Sequence, residues 1–332
     1  MKPEMNTRIV IADTQWPWKN LSSLRSKGIG HKLPVILDTD PGTDIDDSYA
    51  LAMLLNSPEL DLKLITTATG DTQYRGAVAA RILEAANRTD IPIAPGRKER
   101  VDKYQYTLAD YLKCSGEKHY AFKDDAVSEI VRVVTESAEP VTLIAIAPAT
   151  NLGDLLDRAP QIAGKIDLIG MLGSVNKGCD NKPGRIAEYN VVRDIEAARK
   201  VFAAPWRSFR ITPLDTCGSI RLTREEFCRM RDISPVMHEV AESNWHWDWW
   251  KEAFTSGTVP EFTSVMFDTV AVYIALGGDL LEFERRGFSV GDDGKLIDDD
   301  NAPPVWTALR WKDFDAYHRL LTEILCRTAD KQ

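Results

Sequence analysis

Five aspartates, Asp38, Asp40, Asp44, Asp46 and Asp47, fall within ten residues of one segment, Asp38-Thr39-Asp40-Pro41-Gly42-Thr43-Asp44-Ile45-Asp46-Asp47. Carboxylates crowded this closely repel one another, so they must take up protons, face water or share a cation. A dense set of oxygen donors selects a hard ion such as Ca2+ or Mg2+. The chemistry such a set offers is metal-dependent hydrolysis, with one carboxylate free to accept a proton from water. The plain alternative is an exposed acidic turn whose Asp46 and Asp47 favour a helix N-terminus. The Asp-x-Asp-Pro-Gly start, placed directly after an apolar run, argues against that alternative.

Two other motif readings meet this segment. A calcium loop of the EF-hand type starting at Asp38 requires Gly at its sixth position and Glu at its twelfth, where the chain has Thr43 and Tyr49. A phosphatase of the haloacid dehalogenase type also carries Asp-x-Asp after its first strand, with Asp38 as nucleophile and Mg2+ beside it. That type usually has Thr or Val two residues after the second Asp, and the residue here is Gly42.

The elements that must position these residues follow from the patterning. Val35-Ile36-Leu37 is a short apolar run suited to a buried parallel strand, and helical spacing follows over Tyr49–Leu55. Further strands are expected at Leu62–Thr67, Ile91–Ile93, Val141–Ala147, Ile166–Leu172 and Phe209–Thr212. Helices are expected at Gln73–Ala86, Val127–Val134, Thr150–Leu156 and Asp194–Phe202. Alternation of this kind predicts an α/β fold with a mainly parallel central sheet and helices on both faces. In such sheets ligands bind beyond the carboxyl ends of the strands, where the aspartate segment begins. Leu222–Leu276 reads as a helical insertion in the C-terminal third. A strand near Thr307–Trp311 and a helix over Phe314–Leu325 close the chain. The expected organisation is an N-terminal extension, residues 1–31, followed by one domain over 32–328.

Bulk properties narrow the partners. The net charge of −9 gives no basic footprint for nucleic acid or an anionic membrane surface. The N-terminus has no apolar core of a secretory signal, and no window reaches the roughly 20 apolar residues of a membrane span. Five cysteines without a CxxC pair support neither a disulfide framework nor a structural zinc site. A cytoplasmic protein with reduced thiols is expected.

Asp38-Thr39-Asp40-Pro41-Gly42 followed by Asp46-Asp47 resembles the signature of the inosine–uridine-type nucleoside hydrolases. Further blocks resemble that family in the same order. They are Thr66-Thr67-Ala68-Thr69-Gly70-Asp71, Ala147-Pro148-Ala149-Thr150-Asn151-Leu152, Met171-Leu172-Gly173-Ser174, Ala187-Glu188-Tyr189-Asn190 with Asp194-Ile195-Glu196-Ala197-Ala198, and Phe267-Asp268. The resemblance implies cleavage of the N-glycosidic bond of ribonucleosides, giving ribose and free base, with a bound Ca2+. It implies that Asp40, Asp47 and Asp268 ligate Ca2+ through side chains and Ile146 through its carbonyl. Asp40 then serves as general base, and Asp46 binds a ribose hydroxyl. Glu188 and Asn190 hold the sugar, with Met171, Asp71 and Asn181 beside them. A homodimer or homotetramer is implied in the same way.

The chain departs from the family pattern at three places. Two extra residues lie within Thr43–Ile45, which leaves Asp44 without a counterpart. Asp71 replaces the commoner Asn. Phe267 stands where many members have the His that protonates the leaving base. Members with an aromatic residue there rely on stacking and prefer purines, so a purine preference is expected. Trp245 and Trp249, on one face of a helix, are the candidate stacking residues, while His246 is a weaker candidate acid. Tyr104 and Tyr106, in the irregular stretch 97–120, are candidates for closing over substrate. Loss of the His also leaves open a non-catalytic metal-dependent nucleoside- or ribose-binding protein.

Overall fold

Short runs of aliphatic residues, each ending at a turn, build a stack of strands joined by helices. The computed structural model describes residues 32–101, 106–114, 119–257 and 260–327. The extension expected over 1–31 and the candidate Tyr104 lie outside the described residues. In chain order the elements are β1 (Leu33–Thr39), α1 (Asp46–Leu55), β2 (Leu60–Thr67), α2 (Thr72–Ala85), β3 (Ile93–Pro95), α3 (Ala109–Cys114), α4 (Ala126–Glu136), β4 (Val141–Ala145), α5 (Thr150–Arg158) and β5 (Ile166–Met171). There follow α6 (Tyr189–Val192), α7 (Ile195–Ala203), β6 (Ser208–Thr212), α8 (Leu214–Cys217), α9 (Arg224–Met230), α10 (Pro235–His246) and α11 (Asp248–Thr255). The chain finishes with α12 (Thr269–Ala275), β7 (Leu281–Val290), β8 (Leu296–Asp298), β9 (Pro304–Trp311) and α13 (Phe314–Leu325).

Among the described residues nine strands form one sheet in the order β3-β2-β1-β4-β5-β6-β9-β7-β8. From β3 to β9 every pairing is parallel, and β7 and β8 add antiparallel neighbours at one edge. The α/β reading of the sequence is therefore correct. Strand residues alternate between two cores. Val35, Leu37, Ile65, Ile144 and Ile169 enter one, while Ile36, Leu64, Leu143, Leu168 and Ile211 enter the other. The chain leaves β1 toward β2 and β3, then returns to place β4 on the other side of β1. That reversal opens a crevice at the carboxyl ends of β1 and β4.

Most helices start on a side-chain cap, as Asp125 and Asp194 do for α4 and α7 and the Thr223–Glu226 capping box does for α9. Helix α1 is different. Asp46 to Leu54 are all buried, and Ile45 offers no capping side chain. Its acidic first turn faces the crevice instead of water.

The sequence reading omitted β7 and β8. The segment Leu281–Val290 carries Glu282, Glu284, Arg285 and Arg286, which mask the alternation expected of a strand; they lie in the part that pairs only with β9, before β8 joins at Phe288–Val290. The helical insertion is present as α9 to α12, but α10 and α11 are separate helices. Trp247 between them is extended, with ψ at 127°.

Close packing of α5 on α7 gives a test of the fold. A Cβ on Gly153 would lie 2.6 Å from the Ala197 Cβ and 3.0 Å from its Cα. Gly153→Ala is expected to destabilise by about 1–3 kcal/mol, despite the better helix propensity of alanine, in urea unfolding. A stabilised variant would show that the two helices separate freely.

Candidate active site

The loops that leave β1, β4 and β5 surround a cavity of about 400 Å³. Asp40, Asp46, Asp47, Ile146, Met171, Glu188, Asn190, Phe267 and Asp268 all line it. Asp44 and Thr43 of the longer turn line it as well. Nine of the positions expected from the sequence thus meet in one place, drawn from segments as far apart as β1 and α12.

The carboxylates divide by their surroundings. Asp38 faces away from the cavity and is fully buried, accepting from Thr66 Oγ1 at 2.6 Å and Asn151 Nδ2 at 2.7 Å. Burial pushes its pKa up to about 6. Asp47 accepts from the Thr39 hydroxyl and from the Asp40 backbone N–H at 2.9 Å, which locks the first turn of α1 to the end of β1. Asp46, Asp47 and Asp268 offer oxygens that all lie within 4.8 Å of one another. Asp46 and Asp268 face each other closely enough that the charge of each bears on the other. Burial first, and neighbouring carboxylates second, push Asp46 and Asp268 well above the ordinary carboxylate range. Burial raises Asp40 in the same way, against the pull of the Arg75 guanidinium. Asp40 stands in the same wall but is not a member of the tightest group.

Glu188 uses its carboxylate on backbone N–H groups, accepting from Gly173 at 2.8 Å and Asn190 at 2.7 Å. Burial lifts its pKa to about 7. Asn190 donates its side-chain amide to the carbonyls of Ile146 and Met171, each at 3.1 Å. These two residues hold the ends of β4 and β5 in register around the cavity floor. Asp44 accepts from the Ile45 N–H at 2.7 Å and the Ser264 hydroxyl at 3.2 Å.

Four expected residues do not line the cavity. Asp71 caps α2 by accepting from the Tyr74 N–H, and it also takes bonds from Lys98 at 3.1 Å and Tyr106 at 3.0 Å. Burial pushes its pKa up, but those bonds outweigh it and hold the carboxyl below the usual range. Asn181 is exposed, in the left-handed region with φ at 58°. Trp245 packs against Phe227 and Trp250, and Trp249 is 50% exposed beside Trp247. Pairing Trp245 with Trp249 assumes one continuous helix, and the break at Trp247 removes that face. His246 lies 3.6 Å from Cys114 Sγ and is not in the cavity wall. Among the described residues no histidine lines the cavity.

Four residues outside the sequence-based candidates hold the aspartate turn: Tyr74 and Thr107, whose hydroxyls donate to the Gly42 carbonyl at 3.2 Å and 2.7 Å, and Trp247 and Arg75. Trp247 donates from Nε1 to the Thr43 carbonyl at 3.1 Å. Arg75 on α2 is 0% exposed and reaches Asp40, Pro41 and Thr43. A signal for Arg75 exists in the sequence, because it shares the buried stripe of α2 with Val78, Ala79 and Ile82.

The family model for inosine-uridine preferring nucleoside hydrolases matches residues 35–316. The chain belongs to that family. It is similar to the pyrimidine-specific ribonucleoside hydrolase RihA of an Enterobacter species, 36% identical over 226 residues, covering 63% of this chain and 69% of the relative. The RihA of Photobacterium profundum is 32% identical over 228 residues, with the same coverage. Two solved structures share the fold. The inosine-uridine preferring nucleoside hydrolase of Bacillus anthracis has a TM-score of 0.71 at 20% identity, covering 89% of this chain and all of that one. The purine-preferring ribonucleoside hydrolase of Gardnerella vaginalis has a TM-score of 0.72 at 21% identity, covering 88% and 98%. As a nucleoside hydrolase the chain is an N-glycosyl hydrolase. Nucleoside hydrolases are metal-dependent, and the acidic cluster of this one is able to bind a metal ion.

Proposed function

We propose that this nucleoside hydrolase cleaves purine ribonucleosides with a Ca2+ held by Asp40, Asp47, Asp268 and the Ile146 carbonyl. The observation that carries the proposal is the convergence of buried carboxylates on one cavity, with oxygens of Asp46, Asp47 and Asp268 within 4.8 Å. Acids this deeply buried keep their protons unless a cation compensates them. An all-oxygen donor set without Cys or His fits a hard cation that accepts six to eight oxygens. When bound, Ca2+ acidifies water and gathers hydroxyl oxygens around itself.

The remaining chemistry belongs to the side chains. Asp40 accepts the proton of the attacking water. Asp46 accepts a hydrogen bond from a ribose hydroxyl, and Asn190 and Met171 form the floor under the sugar. The transition state resembles an oxocarbenium ion, so the surrounding carboxylates stabilise the growing positive charge on the ribose. Phe267 lies against the base. Phe267 cannot donate a proton, so in this reading the leaving group takes its proton from solvent, and a purine offers its N7 for that.

The resemblance to RihA favours a second substrate class, because those relatives are named pyrimidine-specific. Release of reducing sugar from inosine, guanosine, uridine and cytidine separates the two. Faster turnover of inosine and guanosine supports the purine reading, and faster uridine and cytidine turnover replaces it. Phe267→Ala is expected to raise KM for the preferred nucleoside about two- to tenfold, the loss of roughly one aromatic contact of 0.5–1.5 kcal/mol. An unchanged KM would remove Phe267 from the base pocket. A protein that binds nucleosides and releases no sugar would be a binding protein.

A further inference from the structure

The turn Asp40–Thr43 carries the proposed base and leads into α1, whose first turn holds the proposed ligand Asp47. The two residues by which the aspartate segment exceeds the pattern it resembles lie within Thr43–Ile45, at the end of this turn, and the turn's backbone makes few bonds within itself. Its carbonyls are satisfied from outside. Arg75 donates from Nη1 to the Asp40 carbonyl and, at 3.3 Å, to the Pro41 carbonyl. Its Nε donates to the Thr69 carbonyl at 2.6 Å, and its Nη2 donates to Thr43 Oγ1 at 3.1 Å. The same Nη2 lies 3.5 Å from the Asp40 carboxylate. One guanidinium, fully buried, therefore touches three successive parts of the turn and the carboxylate that the turn presents.

We propose that Arg75 is a positioning residue for the hydrolysis, fixing the Asp40 carboxylate and the ligand geometry by holding the turn from beneath. The inference rests on the assignment of Asp40 as base and ligand. Only the planar fork of arginine reaches several acceptors at fixed angles, whereas an ammonium is a single point donor. Gly42 completes the arrangement. Its φ is +114°, and a Cβ there would lie 2.5 Å from the Tyr74 ring carried next to Arg75 on α2. The turn and the helix are thus fitted to each other at two neighbouring positions.

The test uses full-length Arg75→Lys, which keeps the charge and loses the fork. Ca2+ alone is titrated calorimetrically into metal-free protein, and kcat and KM are measured on the nucleoside that the wild type turns over best. Both are referred to the folded fraction. Displacement of the base by a fraction of an ångström is expected to lower kcat about 10- to 100-fold, with KM within about threefold, and to weaken Ca2+ binding about tenfold. A purely structural arginine gives a lower melting temperature with kcat and Ca2+ affinity per folded molecule within about twofold of wild type, and that result overturns the proposal. Should Arg75→Lys not fold, Thr43→Val removes one Arg75 bond without touching a proposed ligand. It is expected to weaken Ca2+ binding about threefold, and unchanged affinity overturns the proposal. A wild type that binds no Ca2+ sinks the metal assignment instead, and the kcat-against-KM split then decides the role of Arg75.

Discussion

Asp40→Asn is expected to lower kcat about a thousandfold or more, with the protein still folded. The amide keeps the shape of the side chain but cannot accept the proton of the attacking water. General base catalysis alone supplies about 10²- to 10⁴-fold. Loss of a metal oxygen adds to that. The change leaves the Asp40 N–H bond to Asp47 and the carbonyl bond from Arg75 in place, because both involve the backbone. It also removes a raised carboxylate from a crowded wall, so stability at neutral pH should not fall. Steady-state rates and a melting curve on the same preparation check both statements. A kcat within tenfold of wild type would move the base to another carboxylate of the wall.

Removal of the metal with a chelator is expected to abolish sugar release and to lower the melting temperature, more at pH 8 than at pH 5.5. Binding at a thousandfold excess over Kd stabilises by about 4 kcal/mol, which corresponds to a shift of about 6 °C for a chain of this size. The pH sign follows from the carboxylates. Asp38 and Asp44 are raised to about 6, Glu188 to about 7, and Asp40, Asp46 and Asp268 well above the ordinary range, each first by burial. A folded state with raised acids binds more protons than the unfolded chain, so stability falls as pH rises from the unfolded value toward the folded ones. Metal-free protein should therefore melt highest near pH 5 and progressively lower through pH 8. Added Ca2+ should restore most at pH 8, where the acids have lost their protons and no longer compete with the ion. A chelator effect equal at both pH values would separate the ion from these carboxylates.

Much of the fold was legible because its parallel strands are buried on both faces. Val35-Ile36-Leu37 and Ile166–Met171 read as apolar runs whatever surrounds them. The aspartate segment was legible for a similar reason, since five acids after such a run have few structural uses. Strand β7 was not, because its first part, Leu281–Gly287, pairs only with β9, and a stretch open on one side lets Glu282 and Arg285 stand where a central strand needs aliphatics. The tryptophans were misplaced by one local event. Extended backbone at Trp247 ends α10 at His246, and the indole that touches the aspartate turn is Trp247, not Trp245 or Trp249. Periodicity carries no warning of that break. Arg75 was passed over because an arginine in a helix is ordinarily solvated, and its partners are carbonyls that no sequence pattern displays.

Asp46 and Asp47 open the first helix of the described chain, and Asp268 precedes the twelfth. An ion shared between Asp47 and Asp268, as proposed, would be a clasp that ties the chain into a ring of roughly 220 residues, comparable in its effect on the unfolded ensemble to a disulfide of the same span. Unlike a disulfide, the clasp opens in a chelator and needs no oxidising compartment. The ion that serves the reaction would then also decide how long the protein survives between turnovers, because the first and last thirds of the molecule cannot part while it is held.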